Sequence, residues 1–222
     1  AAERVLRGYS GALVAIDVTN GKILAICSSP GFDLSALDSA EFAQLNRDTE
    51  NRPMFNRATQ GTYTPGSIVK PLVGMAVLQS GLVMPEDEYV CKGYYKLGNH
   101  TIRCAHRWGH GELNLERAIR VSCNPFFINA AVQVGIDWIG RFYASAGFGE
   151  HTGFELYDAA GVAPSREMAR RRLKRNWISS DMAYASIGQG LISITPLQAA
   201  VYTAAVANGG IVYRPFIVDS IV

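Results

Sequence analysis

The chain has 222 residues, 48% of them hydrophobic and 18% charged, and a formal net charge of +2. It is long and apolar enough to bury a sizeable core, its length favours one domain with room for a lobe, and so small a charge gives no reason to expect a nucleic-acid partner. It contains no run of about 18 apolar residues, and Ala1 is not followed by a basic and then an apolar segment of the signal-peptide kind, so it reads as an excised soluble piece.

In chain order, the first expected element is a β-hairpin. Leu13 to Ile16 and Ile23 to Cys27 flank Asp17-Val18-Thr19-Asn20-Gly21, whose Asn-Gly pair suits a tight turn. Pro65 and Gly66 break the segment that follows. After them Ile68, Val69, Leu72, Val73, Met75, Ala76, Val77 and Leu78 predict a core helix that ends near Gly81 and carries Ser67 in its first turn. From Pro65 to Ala207 the pattern is mainly helical, Leu115 to Val121 included, with loops over Met84 to His110 and Tyr157 to Asn176. Leu191 to Ala207 is the most apolar long segment. Ser193, Thr195, Pro196, Gln198 and Thr203 interrupt it, which argues a buried core helix, and Ile211 to Val218 is expected to be extended.

Ser67 and Lys70 stand at i and i+3, so on a helix they share a face, and an amine kept neutral by burial can take the hydroxyl proton. The same S-x-x-K also describes a Ser N-cap followed by a solvated Lys. Ser122-Cys123-Asn124 adds a second hydroxyl able to relay a proton and a carboxamide able to hold a peptide amide. The candidate catalytic set is therefore Ser67 as nucleophile, Lys70 as base and Ser122 as relay, with Asn124 binding substrate.

Cys91, Cys104, His110 and Cys123 follow the spacing C-x12-C-x5-H-x12-C and are of the types that hold zinc tetrahedrally. This is looser than a doubled C-x-x-C. A Cys91–Cys104 disulfide or a group of buried thiols fits the same residues, and His106 can stand in for His110. Cys27 is expected to be a core thiol. His100, His106 and His151 read as exposed or structurally hydrogen-bonded, and Trp108, Trp138 and Trp177 as core or groove lining. Gly188-Gln189-Gly190 lacks the spacing of a dinucleotide fingerprint.

S-x-x-K followed by S-x-N is the order found in penicillin-recognising serine acyltransferases, in which a K-T-G comes third. Over nearly its whole length the chain resembles the transpeptidase domain of a class B penicillin-binding protein. Asn56-Arg57-Ala58-Thr59-Gln60-Gly61, Trp108-Gly109-His110-Gly111, Gly147-Phe148-Gly149, the Arg-rich stretch before Trp177, Ile187-Gly188-Gln189-Gly190 and Thr195-Pro196-Leu197-Gln198 are similar to the elongation-type subgroup, penicillin-binding protein 2. The resemblance implies an α+β fold of the penicillin-binding protein and serine β-lactamase kind, an antiparallel sheet flanked by helices. It implies a D,D-transpeptidase that cross-links peptidoglycan stem peptides during cell-wall elongation and is acylated by β-lactams. It also implies an N-terminal membrane anchor and a dimerisation-like module, the periplasmic face of the inner membrane, and a membrane glycosyltransferase as partner. In some elongation-type relatives it implies a metal site in the loop before the S-x-N motif.

In that family a Lys-Thr-Gly strand follows the segment matching Ala207 to Val212, and none occurs before Val222. Residues 1–222 are thus expected to be a partial transpeptidase domain that stops short of this strand and leaves open sheet edges. Thr152-Gly153 reads as a structural turn and not as the third motif. The strand would bring a cation for the substrate carboxylate and one oxyanion donor beside the Ser67 N–H, and losing one such donor costs roughly a hundred- to a thousandfold in rate. A non-catalytic module of the same fold is the alternative. A β-lactamase or β-lactam sensor is a third, disfavoured by the elongation-type segments and by the lack of a deacylating carboxylate motif. Arg170, Arg171, Arg172, Lys174 and Arg175 form a basic run that reads as a solvated face or as a contact for an anionic wall polymer or lipid headgroup.

Overall fold

The structure is a computed structural model that describes residues 1–34 and 38–220. Its elements are α1 (Ala2–Leu6), β1 (Gly11–Ile16), β2 (Ile23–Ser29), α2 (Ser39–Arg47), a 3-10 turn (Gly66–Val69) running into α3 (Lys70–Gln79), β3 (Tyr89–Cys91), β4 (Tyr94–Leu97), β5 (His100–Arg103), β6 (Gly111–Leu113), α4 (Leu115–Arg120), α5 (Asn124–Val134), α6 (Ile136–Ser145), α7 (Arg166–Met168) continued by a π turn (Ala169–Leu173), α8 (Ser179–Ala185) and α9 (Pro196–Ala207). They form two compact units, one of Ala1–Tyr63, Ala146–Gly161 and Ile194–Val222, the other of Thr64–Ser145 and Val162–Ser193.

The first unit is built on the expected hairpin. β1 and β2 pair antiparallel from Gly11↔Ser29 to Ile16↔Ile23. The turn is held by its own side chains: Asp17 accepts from the Thr19 N–H at 2.9 Å, and Asn20 accepts from the Lys22 N–H at 2.8 Å. Gly21 has φ +87, and a Cβ there would sit 2.7 Å from the Arg214 carbonyl oxygen, so both backbone shape and space demand glycine. α9 packs on β1, and Ile23, Phe154, Leu197 and Val201 form a core against Val14, Ile16 and Ile26. The helix is shorter than the apolar run Leu191 to Ala207 suggests. Thr195 and Gln198 close a capping box and Pro196 takes the first turn, so the helix starts there. Residues 211–218 form no strand; Phe216 makes a single bridge to Lys22. Cys27 lies on β2 but is half-buried, not a core thiol. Thr152-Gly153 lies in irregular backbone, tied by the Thr152 N–H and Oγ1 to Asp158 at 2.7 and 2.8 Å.

The second unit is organised around α5, which buries Phe126, Phe127, Ile128, Ala130 and Ala131 and packs against α3, α4, α6 and α8. Met84 to His110 is not the single loop expected. It holds β3, β4 and β5, with β3 paired to β6 and β4 to β5. These strands are only three or four residues long, too short to show alternation, and are set by close backbone approach: Gly93 and Gly109, both with positive φ, leave no room for a Cβ. Tyr157 to Asn176 likewise contains α7 and the π turn. Among the described residues the antiparallel structure is three two-stranded ladders.

Candidate active site

The turn Gly66–Val69 presents Ser67, which is exposed, whereas Lys70 at the start of α3 is only 2% exposed. Ser67 therefore lies in a 3-10 turn that hands over to the α-helix at Lys70, where an α-helical first turn was expected. Gly66 has φ +63, and its N–H donates to the Gly188 carbonyl at 2.9 Å. Gly188 also has positive φ, and a Cβ on it would strike the Gly66 backbone. The segment around Gly188 thus fixes the turn that holds Ser67, a role that chain position alone does not reveal.

A buried ammonium or amine needs partners, and Lys70 finds them on the second motif. Its Nζ donates to the Ser122 carbonyl at 2.7 Å, the Ser122 Oγ at 2.9 Å and the Asn124 Oδ1 at 2.7 Å. The Ser122 Oγ donates to the Ser67 Oγ at 3.0 Å. The hydroxyl of Ser122 thus stands between the Ser67 hydroxyl and the Lys70 amine. Ser122 has φ +52, one of three non-glycine residues with positive φ among those described, and this left-handed backbone puts both its carbonyl and its hydroxyl within reach of Lys70. Asn124 opens α5, with Pro125 in the first turn, and its Nδ2 donates to the Arg103 carbonyl at 3.2 Å. Its carboxamide is therefore clamped between Lys70 and β5. Burial holds Lys70 down to about 8, against the weaker upward pull of Cys123 and Cys104. The amine is neutral in a useful fraction of molecules near neutral pH.

Cys123 lies between Ser122 and Asn124 and faces a different group. The ligand atoms of Cys91, Cys104, His110 and Cys123 all lie within 4.8 Å of one another, and the Cys104 Sγ is 3.5 Å from the His110 Nδ1. With metal–sulfur at about 2.3 Å and metal–nitrogen at about 2.0 Å, a tetrahedral edge between them spans about 3.5 Å. The four cysteines of the chain are free thiols. Burial pushes Cys123 up. Cys91 is held below the usual thiol range, because burial is outweighed by the backbone N–H groups of His110 and Gly93 and by the neighbouring thiols. Burial and the nearby His106, Arg117 and Lys70 lower His110, favouring its neutral ligating form. The donor types, burial and spacing fit a closed structural zinc.

Other expected residues lie apart from this chemistry. His106 hydrogen-bonds the Gly109 carbonyl at 2.7 Å and stacks on His110, while His151 pairs with the buried Asp158 at 3.2 Å. Trp138 is half-buried and donates to the Ala76 carbonyl. Trp108, expected in the core or a groove, is 76% exposed with the Arg107 guanidinium over its ring. Sequence reasoning missed Arg103, whose backbone anchors Asn124, and Phe127, whose ring lies 5.6 Å from the Lys70 Nζ.

Comparison with known proteins gives the family of the chain. The chain is 38% identical over 216 residues to the peptidoglycan D,D-transpeptidase MrdA of Acinetobacter baumannii, covering 94% of this chain and 32% of that protein. It thus spans about a third of the length of the curated relatives it matches. The Pseudomonas aeruginosa PBP2 crystal structure in complex with WCK 5153 matches with a TM-score of 0.91 and 37% identity, covering 99% of this chain and 51% of that one. The Helicobacter pylori PBP2 seen in complex with MreC matches with a TM-score of 0.92 and 28% identity, covering 99% and 42%. The family described as penicillin binding protein transpeptidase domain matches residues 11–222, and the chain belongs to that family.

Proposed function

We propose that the protein is a serine D,D-transpeptidase that cross-links peptidoglycan stem peptides and is acylated by β-lactams. The observation that carries this reading is the alignment of Ser67, Ser122 and Lys70, with Ser122 Oγ 3.0 Å from one and 2.9 Å from the other. Once Lys70 has lost a proton, the hydrogen bonds along Ser67, Ser122 and Lys70 reverse, and Ser67 Oγ attacks the penultimate D-Ala carbonyl while its proton passes to the Ser122 Oγ and the proton of Ser122 passes to the neutral Lys70 amine. The tetrahedral centre collapses, the C–N bond to the terminal D-Ala breaks, and the proton returns along the same path to the departing amine. An amine of a neighbouring stem peptide then attacks the ester, releasing Ser67. Asn124, fixed by Lys70 and Arg103, offers its remaining N–H to a substrate carbonyl.

Cys91, Cys104, His110 and Cys123 would hold one zinc, which supplies folding energy and no open coordination position. The sequence resemblance supports a periplasmic setting at the inner membrane and a membrane glycosyltransferase as partner; no helix among the described residues is long and apolar enough to cross a membrane. Intact-mass spectrometry of a protein that carries residues 1–222 together with a K-T-G strand, after incubation with benzylpenicillin, tests the central assignment. One adduct is expected, and none in Ser67→Ala; an adduct that survives in that variant would remove Ser67 from the role.

A further inference from the structure

Four cations, Arg170, Arg171, Arg172 and Lys174, sit within five residues on and just beyond the π turn, and all are exposed. The whole chain carries +2, so the rest of it sums to 2 − 4 = −2, and this turn is a local concentration of charge against an acidic background. Among the described residues no carboxylate forms an ion pair with any of the four. The flanking cations are paired: Arg166 binds Asp137 at 2.8 Å, and Arg175 grips Asp181 through two bonds of 2.6 and 2.7 Å. Those pairs pin the ends of the segment. Ala169 is fully buried at its base, and Lys174 closes the turn at φ +56. π turns are rare and recur at functional sites. Holding like charges together on an anchored turn is unfavourable unless an anion comes to them.

We propose that this basic turn docks the carboxylates of stem peptides on glycan strands not yet cross-linked, holding the polymer on the same unit that carries Ser67. The inference rests on the function proposed above. Guanidinium forks match carboxylates in shape as well as charge. A lipid surface is the less suited partner, because interfacial helices carry a broad apolar face over several turns, and within this turn the exposed apolar side chain is Leu173 alone. The location also favours the polymer. The turn leads into α8, which packs against the Asn124 helix and ends next to Gly188, the residue that braces the Ser67 turn.

The test is retention on un-cross-linked peptidoglycan strands free of teichoic acid, by co-sedimentation at low and at 0.5 M-range salt, for the chain and for Arg170→Gln, Arg171→Gln, Arg172→Gln and Lys174→Gln combined. The expected result is a loss of retention of about tenfold or more at low salt and a flatter salt dependence, with an unchanged melting temperature. Strands whose carboxylates have been amidated should be retained no better by the chain than by the variant, and a variant carrying Lys at the three Arg positions should recover part of the binding. Equal retention of chain and variant, or equal retention of amidated and native strands by the chain, overturns the proposal. So does a variant that loses binding to phosphatidylglycerol vesicles while keeping the polymer. The penicillin adduct on Ser67, measured in parallel on both proteins with a K-T-G strand included, should be the same in both; its absence from both would defeat the function reading, and is a separate readout from retention.

Discussion

Ser122-Cys123-Asn124 feeds two polar clusters that differ in kind. Ser122 and Asn124 turn to Lys70, and there each donor has an acceptor: three Lys70 contacts of 2.7 to 2.9 Å and one hydroxyl passed on to Ser67. Cys123 turns to Cys91, Cys104 and His110, where three thiols and an imidazole crowd within 4.8 Å with little but weak sulfur hydrogen bonds between them. The first cluster is complete as it stands and offers a path for a proton. The second is a set of good ligands and poor hydrogen-bonding partners, which an ion would join. If the proposed function and metal hold, this short segment would link folding energy to the register of Ser122 and Asn124, since whatever fixes Cys123 also fixes its neighbours.

Removing the amine breaks the first cluster hardest. Lys70→Ala should slow penicillin acylation by about a hundred- to ten-thousandfold, the usual worth of a general base, with folding retained; a stopped-flow rate within threefold of the parent would show that the proton leaves by another route. Breaking the second cluster should act on stability first. Cys104→Ser is expected to lose bound metal and about 3 kcal/mol of stability, the range in which loss of a metal falls, with acylation reduced only as far as the S-x-N segment loosens. Metal analysis of protein purified without added zinc, beside denaturant melts, checks this, and sub-stoichiometric metal with a Cys91–Cys104 disulfide in non-reducing peptide maps would replace the ion with a covalent bond.

Gly188→Ala probes the packing beneath the nucleophile without touching either cluster. The new methyl meets the Gly66 backbone at a positive-φ position, so a loss of about 2 kcal/mol and slower acylation are expected, and a neutral melt would mean that the Ser67 turn has slack. The mildest test is pH. Lys70 is held down to about 8, and only the neutral amine accepts a proton, so the acylation rate should climb about tenfold per pH unit well below 8 and level off above it. A profile that is flat from pH 6 to 9 would contradict a base with that ionisation.

How much of this could be read from the chain depends on distance along it. The hairpin was legible because Asn20-Gly21 fixes its turn locally, and the pairing of Ser67 with Lys70 because three residues separate them. The contact of Lys70 with Ser122 spans 52 positions, and no periodicity carries it; the motif order did. The zinc-type ligands were visible as residue types, but their approach depends on β3–β6, strands too short to leave a pattern. Trp108 was misplaced because its aromatic character favours burial, whereas the tight backbone at Gly109 leaves it outside with Arg107 as cover.

Ser122 leaves one further consequence. Its left-handed backbone is a conformation that glycine would adopt without strain, so anyone engineering this protein for heat resistance would be drawn to Ser122→Gly, which should relieve about 1 kcal/mol of backbone strain. The same change deletes the hydroxyl standing between Ser67 and Lys70. An inert protein would result, with its backbone relaxed at this residue and the buried Lys70 amine one acceptor short, so the melting temperature would gain little. At this one position an easy backbone and a proton path compete for the same residue.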